Sequence, residues 1–198
     1  MHFFEEKCAF YLHVSNKSRN FAASNYALFD TNHLKYIDMK DIVIKTKLKV
    51  CQFNELTPEE QELVEIAKHQ TNNSYCPYSK FHVGAAAKLD NGVIIRGANQ
   101  ENAAYPSGLC AERSALFAAG ANYPEVPVNT LVIACYTDGH FTEDPGAPCG
   151  ACRQVMIETE HRYGKPMKVI LYGEKEIFVF ENASDLMPVG FFSEDLNG

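Results

Sequence analysis

At 198 residues with 46% hydrophobic side chains, the chain can bury one good core and is short for two domains. Eighteen basic residues against 25 acidic ones give a net charge of −7, without the basic footprint that nucleic-acid binding usually leaves; Lys45, Lys47 and Lys49 form its one local cluster. Seven irregularly spaced cysteines, no signal peptide and no apolar run of membrane length argue against a secreted or membrane protein and for a reducing cytoplasm.

Residues 1–38 scatter Phe3, Phe4, Phe10, Tyr11, Phe21, Tyr26 and Phe29 among Asn, Ser and His, with no period of 2 or 3.6. They read as an N-terminal extension. Either the native protein starts at Met39, or the extension is an arm that folds on binding, since it is too apolar for a typical disordered tail. Ile42, Ile44, Thr46, Leu48 and Val50 then alternate with Val43, Lys45, Lys47 and Lys49. That period of two predicts an extra, half-buried edge strand within residues 39–52, lysines outward. Residues 53–198 form the main domain.

Thr57-Pro58-Glu59-Glu60 is a helix start: Thr57 as N-cap, Pro58 in the first turn, Glu60 completing a capping box. Leu63, Ile66, Ala67 and Gln70 mark its apolar face, and it should fade near Asn72-Asn73. Strands over Phe81–Lys88 and Val93–Ala98 flank Asp90-Asn91-Gly92, a hairpin signal. A helix over Ala111–Ala119 stops at Gly120. Val128–Tyr136 is a buried strand by its unbroken apolar run, with Cys135 in it as a small hydrophobe. A loop rich in Asp, Gly and Pro, Asp138–Pro148, leads to a helix over Arg153–Glu160. Strands over Lys168–Tyr172 and Glu176–Phe180 and a short turn at Asp185-Leu186-Met187 close the chain.

The sum is an α/β protein, a sheet with helices on both faces. Only Gly173, Glu174 and Lys175 separate the last two strands. A parallel crossover needs a dozen residues or more, so this pair must be antiparallel.

Two short stretches carry the chemistry: Cys110-Ala111-Glu112-Arg113 and Pro148-Cys149-Gly150-Ala151-Cys152. Cys149 and Cys152 can open a helix with both sulfurs on one ion, and Cys110, before the other helical run, supplies a third. Helix N-termini favour thiolate over thiol. Three thiolates against Zn²⁺ leave a charge of −1 and keep one position for water, with Glu112 beside the site as a base that is not a ligand. Arg113 is the nearest group to offset that charge, by donating to the sulfurs. A Cys-x-x-Cys pair also occurs in redox dithiols and in closed structural zinc sites. A dithiol would leave Cys-Ala-Glu unexplained. A closed site needs a fourth ligand, for which His140 is the best placed of the seven histidines.

With these residues in view, the chain resembles the cytidine deaminase family, in its short homotetrameric form, over about residues 54–196. Tyr78-Ser79-Lys80-Phe81-His82-Val83-Gly84-Ala85 is similar to the family's opening motif and Asn99-Gln100-Glu101-Asn102-Ala103 to its sugar motif. The two cysteine stretches are similar to its zinc motifs, and Leu186-Met187-Pro188-Val189-Gly190-Phe191 to its C-terminal stretch. The resemblance implies a three-layer α/β/α sandwich on a mixed five-stranded sheet. It implies one Zn²⁺ per chain on Cys110, Cys149 and Cys152, proton shuttling by Glu112 and charge compensation by Arg113. Asn99 and Glu101 would hold a sugar hydroxyl, Phe81 would pack on the base, and the Ala111 backbone would meet the pyrimidine edge. Phe191 would reach a neighbouring subunit's site in a homotetramer.

The implied reaction is hydrolytic deamination of cytidine and deoxycytidine at C4, in pyrimidine salvage in the cytoplasm. Superfamily members acting on tRNA or single-stranded DNA resemble a variant whose last two strands are parallel. The short Gly173–Lys175 link favours a free nucleoside instead, with neither nucleic acid nor membrane as partner. Two other readings remain open: a deaminase of a cytosine-nucleoside antibiotic of the blasticidin S type, and a non-catalytic zinc protein of the same fold.

Overall fold

The computed structural model describes residues 41–197. The expected N-terminal extension, residues 1–38, lies outside them. From Val43 onward the chain forms one compact unit.

Its strands are β1 (Lys49–Cys51), β2 (His82–Leu89), β3 (Ile94–Ala98), β4 (Val128–Thr137), β5 (His140–Phe141), β6 (Lys168–Tyr172) and β7 (Ile177–Phe180). They make one mixed sheet in the order β1-β7-β6-β4-β2-β3, with β5 paired to the end of β4. The β4–β6 pair is parallel and the other pairs are antiparallel, β6–β7 included, as the three-residue link requires. All five strands expected in the main domain are present, and the expected edge strand is β1. With β5, which was not expected, the sheet has seven strands. β5 lies in the segment expected to be loop: Asp138 and Gly139 take φ of 51° and 88°, the left-handed values of a two-residue hairpin turn. An Asp-Gly pair is a known signal for that turn.

The edge strand expected over Ile42–Val50 is cut to Lys49–Cys51, and Val43–Val50 are exposed where half-burial was expected. The cause is the partner. Lys49 pairs with Val179 and Cys51 with Ile177, so residues before Leu48 run past the end of β7, which stops at Phe180. Period-two patterning cannot make a strand where no neighbour offers hydrogen bonds.

The sheet sorts its side chains by parity. Ala85, Ala87, Leu131, Ile133, Cys135, Val169 and Leu171 face the layer of α2 (Ala111–Asn122) and α3 (Gly150–Tyr163). Ala86, Val132, Ala134 and Ile170 face α1 (Pro58–Gln70), where Leu63, Val64 and Ala67 are buried. Both faces are covered, which is why β4 shows no alternation of polar and apolar residues. The result is the expected three-layer sandwich. α1 starts as predicted, with the Thr57 hydroxyl accepting the Glu60 N–H at 3.3 Å and the Glu60 carboxylate accepting the Thr57 N–H at 2.9 Å.

Both helices of the other face run longer than expected. α2 passes Gly120 because that glycine serves packing: a side chain there would stand 3.3 Å from the Arg162 guanidinium, which donates to Pro124 O at 2.9 Å. α3 extends to Tyr163 and ends at Gly164, whose φ of 59° is the left-handed stop. Gly97 of β3 governs where α2 begins. A methyl group there would stand 2.3 Å from Ala111 O and 2.7 Å from Ala115 N, so glycine is what lets the first turn of α2 lie against the sheet.

Candidate active site

Cys110 is the N-cap of α2 and Cys149 the N-cap of α3, and Cys152 lies in the first turn of α3. Two helix N-termini therefore converge with three thiols between them, in a field that favours negative sulfur. The Cys110 and Cys149 sulfurs lie 3.9 Å apart, those of Cys149 and Cys152 3.5 Å, and all three are within 4.8 Å of one another. Zn–S bonds of about 2.3 Å at a tetrahedral centre put sulfurs about 3.8 Å apart, a spacing that the Cys110–Cys149 and Cys149–Cys152 separations bracket. Among the described residues no histidine or carboxylate joins this cluster. His140, the best fourth ligand from sequence, is exposed on β5 with Nδ1 at 2.7 Å from Phe141 O.

The thiols share protons unequally. The hydrogen bond with Cys152 and the Arg113 guanidinium pull Cys110 down to about 5, while Cys152, which keeps its proton on that bond, is pushed up. Arg113 Nη2 donates to Cys110 Sγ at 3.7 Å. Glu112 is 4% exposed, and burial together with the Cys110 charge pushes its carboxyl above the usual range. Arg153 ties the turn before Cys149 in place: Nε donates to Pro148 O at 2.9 Å and Nη1 to Leu186 O at 3.0 Å.

A cavity of about 930 Å³ opens onto these groups, within the range of small-ligand sites. It brings Phe81, Asn99 and Glu101 together with Cys110, Glu112 and Cys149. The polar pair is already engaged. Asn99 Oδ1 accepts the Val83 N–H at 2.8 Å and Nδ2 donates to Phe81 O at 2.9 Å. Glu101 accepts the Tyr78 N–H at 2.9 Å and the Ser79 N–H at 3.3 Å. The Ser79 hydroxyl and these N–H groups hold its carboxyl below the usual range. Each oxygen keeps acceptor capacity for a ligand hydroxyl. Lys80, just before Phe81, has φ of 59°, an uncommon conformation for a lysine and one that costs on the order of 1 kcal/mol. That strained step sits directly before the ring expected to pack on the base.

Three expected site residues do not line this cavity: Cys152, Ala111 and Phe191. Cys152 and Ala111 are fully buried. Phe191 is 54% exposed and also outside it; its backbone is held on α3 by Gln154, which donates to Phe191 O at 2.7 Å and accepts its N–H at 3.2 Å. Residues missed from sequence also line the cavity, among them Tyr105, Leu109, Ile133 and Cys135. Tyr105 meets Tyr78 edge to face with ring centres 6.3 Å apart. Cys135 is buried as expected, yet part of the cavity wall. Strand parity could have found Ile133 and Cys135, since both point to the α2–α3 face.

Residues 57–164 match the family described as the cytidine and deoxycytidylate deaminase zinc-binding region. The chain is 43% identical over 140 residues to the cytidine deaminase of Halalkalibacterium halodurans, covering 70% of this chain and 98% of that one. It is 37% identical over 137 residues to that of Sporosarcina psychrophila, covering 69% and 94%. Among solved structures, the cytidine deaminase of Burkholderia pseudomallei superposes with a TM-score of 0.57 at 40% identity, over 69% of this chain and all of that one. That of Mycobacterium tuberculosis gives 0.54 at 28% identity, over 69% and 99%.

Proposed function

The chain belongs to the cytidine deaminase family of enzymes, and from that premise we propose that it converts cytidine and deoxycytidine to uridine and deoxyuridine with release of ammonia, in pyrimidine salvage in the cytoplasm. The observation that carries this reading is the juxtaposition of three thiols spaced for zinc, a buried carboxylic acid two residues from the first, and a cavity large enough for a nucleoside and open to both.

Cys110, Cys149 and Cys152 would hold one zinc ion per chain, and Arg113 would offset the negative charge on its sulfurs. When bound, zinc would supply Lewis acidity toward a water molecule. Glu112 takes a proton from the attacking water as it adds to C4 of the base and delivers it to N3; it then takes the second proton, from the new C4 hydroxyl, and passes it to the amine, which leaves as ammonia while the C4 carbonyl forms. Burial suits this role, because a carboxyl raised toward neutrality both accepts and returns a proton readily. Phe81 packs on the base, and Asn99 and Glu101 orient the sugar. The Ala111 backbone meets the pyrimidine edge once substrate is seated. Phe191, exposed on its own chain, completes the site of a neighbouring subunit in a homotetramer.

Free nucleoside is favoured over nucleotide and polynucleotide. Arg113, which lines the cavity, is aimed at sulfur, Glu101 would repel a phosphate, and the net charge is −7. Among the described residues no helix is long and apolar enough to cross a membrane.

The test is the ultraviolet change on deamination of cytidine, deoxycytidine and their 5′-phosphates by the purified protein. Metal content and gel filtration are measured on the same sample. Glu112→Ala is expected to keep zinc and lose nearly all turnover, and Cys152→Ala to lose zinc. Substantial activity in the first, or full zinc in the second, overturns the assigned roles. A preference for the phosphates overturns the substrate class.

A further inference from the structure

Two residues of the cavity wall hold each other in place. Cys135 lies on β4 in register with Val83 of β2, with 4% of its surface exposed. Gly146 belongs to the loop that runs from β5 to Cys149, and both residues line the same cavity as Glu112. A methyl group on Gly146 would stand 2.4 Å from the Cys135 sulfur and 3.3 Å from its Cβ. Gly146 is not among the residues of positive φ, so its backbone does not ask for glycine. The neighbouring thiol does. Turning the sulfur away gives little relief, because the Cβ is also tight and the surroundings leave Cys135 almost no free surface.

The same residue holds the loop at a second point, since the Thr142 N–H donates to Cys135 O at 3.0 Å. Cys135 thus meets the loop on both sides of Glu143-Asp144-Pro145. Just beyond the second contact come Ala147, which lines the cavity, then Pro148 and the zinc-binding candidate Cys149.

We propose that Cys135 and Gly146 are a size-matched pair that positions this loop, and so sets both the width of the cavity and the seat of Cys149 for deamination. Cys135 is a positioning residue that acts through the loop, not a reacting group. It suits the role chemically: burial, with the nearby Glu112 charge, pushes its thiol up to about 12, so it adds no charge to a site already rich in sulfur anions. The proposal rests on the cavity being the substrate site.

The experiment compares wild type, Gly146→Ala, Cys135→Ala and the double variant for cytidine turnover, zinc per chain and melting temperature. Gly146→Ala is expected to lower kcat/KM by roughly tenfold or more, because displacements of about 1 Å can cost on the order of a hundredfold. Cys135→Ala should lose less than about fivefold, and the double variant should return to within about threefold of Cys135→Ala, a coupling that independent sites do not show. The pair is overturned if Gly146→Ala stays within about twofold of wild type, or if the double variant is as impaired as the two losses multiplied. If Gly146→Ala does not fold, the double variant against Cys135→Ala decides: a double variant that also misfolds, or is slower by about tenfold, overturns the pair. A wild type that deaminates no cytosine nucleoside sinks the functional reading instead, and the coupling is then read from the four melting temperatures.

Discussion

Asn99 is bound to Val83 twice, by its side chain and by its backbone: Oδ1 accepts the Val83 N–H at 2.8 Å, and its own N–H donates to Val83 O at 3.1 Å. With Nδ2 on Phe81 O, one amide fixes the entry to β2 and the ring beside it. Asn99→Ala should therefore cost about 0.5–1.5 kcal/mol of stability from the lost bonds to partly exposed backbone groups, on top of its effect on catalysis. Asn99→Asp keeps the acceptor for Val83 and should recover part of the stability but not the donor to Phe81. Chemical denaturation of the three proteins alongside their kinetics separates the two contributions; equal stability in all of them would refute the clamp.

Arg153 should act on the metal without touching it. By bridging Pro148 O and Leu186 O it fixes the turn that delivers Cys149. Arg153→Ala is expected to weaken zinc retention by about 10- to 100-fold against a chelator, as loss of groups that orient ligands generally does. Arg153→Lys keeps the charge but cannot make both bonds in one plane, and should fall between. Zinc affinity unchanged in Arg153→Ala would show that α3 alone seats the cysteine.

Gly97→Ala tests how closely α2 must lie on β3. A methyl group 2.3 Å from Ala111 O forces the first turn of the helix outward, carrying Cys110 and Glu112 with it. Overpacking of this kind costs about 1–3 kcal/mol, and turnover should drop by more than the stability loss suggests. Thermal unfolding with kinetics at a temperature where both proteins are folded provides the measurement.

The Lys168–Glu60 pair, 2.7 Å apart, predicts a pH dependence of stability. Burial pushes Glu60 up, but the hydrogen bonds from Lys168 and Thr57 outweigh it and hold the carboxyl below its usual range. Glu60 in turn holds Lys168 above its own. A carboxyl lowered by folding contributes stability above the ordinary glutamate value, lost as pH falls through the lowered one. A lysine raised by folding contributes below its ordinary value, lost as pH rises through the raised one. Both groups are partly exposed, so screening limits the pair to about 0.5 kcal/mol, or about 1–2 °C in Tm. Calorimetry should find Lys168→Met less stable than wild type by that amount at neutral pH, with the gap closing below about pH 4.

The elements that were legible in sequence are those whose signals are local. Thr57-Pro58-Glu59-Glu60 names its own helix start, Asp90-Asn91-Gly92 its own hairpin, and the three-residue Gly173–Lys175 link its own strand direction. The cysteine stretches named a metal cluster for the same reason, each placing its thiol at a helix start. What escaped depends on neighbours distant in the chain. The lysine-rich alternation before Cys51 could not reveal that β7 ends too soon to pair with it. Gly120 looked like a stop because nothing nearby shows that Arg162 needs the space. Cys135 read as core because the loop that makes it a cavity wall returns from further along the chain.

Parity in β4 constrains how this protein can change. Ile133 and Cys135 serve the cavity while Val132 and Ala134 pack on α1, so inserting or deleting one residue upstream in the strand would exchange the two sets. Descendants that lengthen or shorten β4 should therefore do so by two residues, or carry a bulge that restores phase before residue 131.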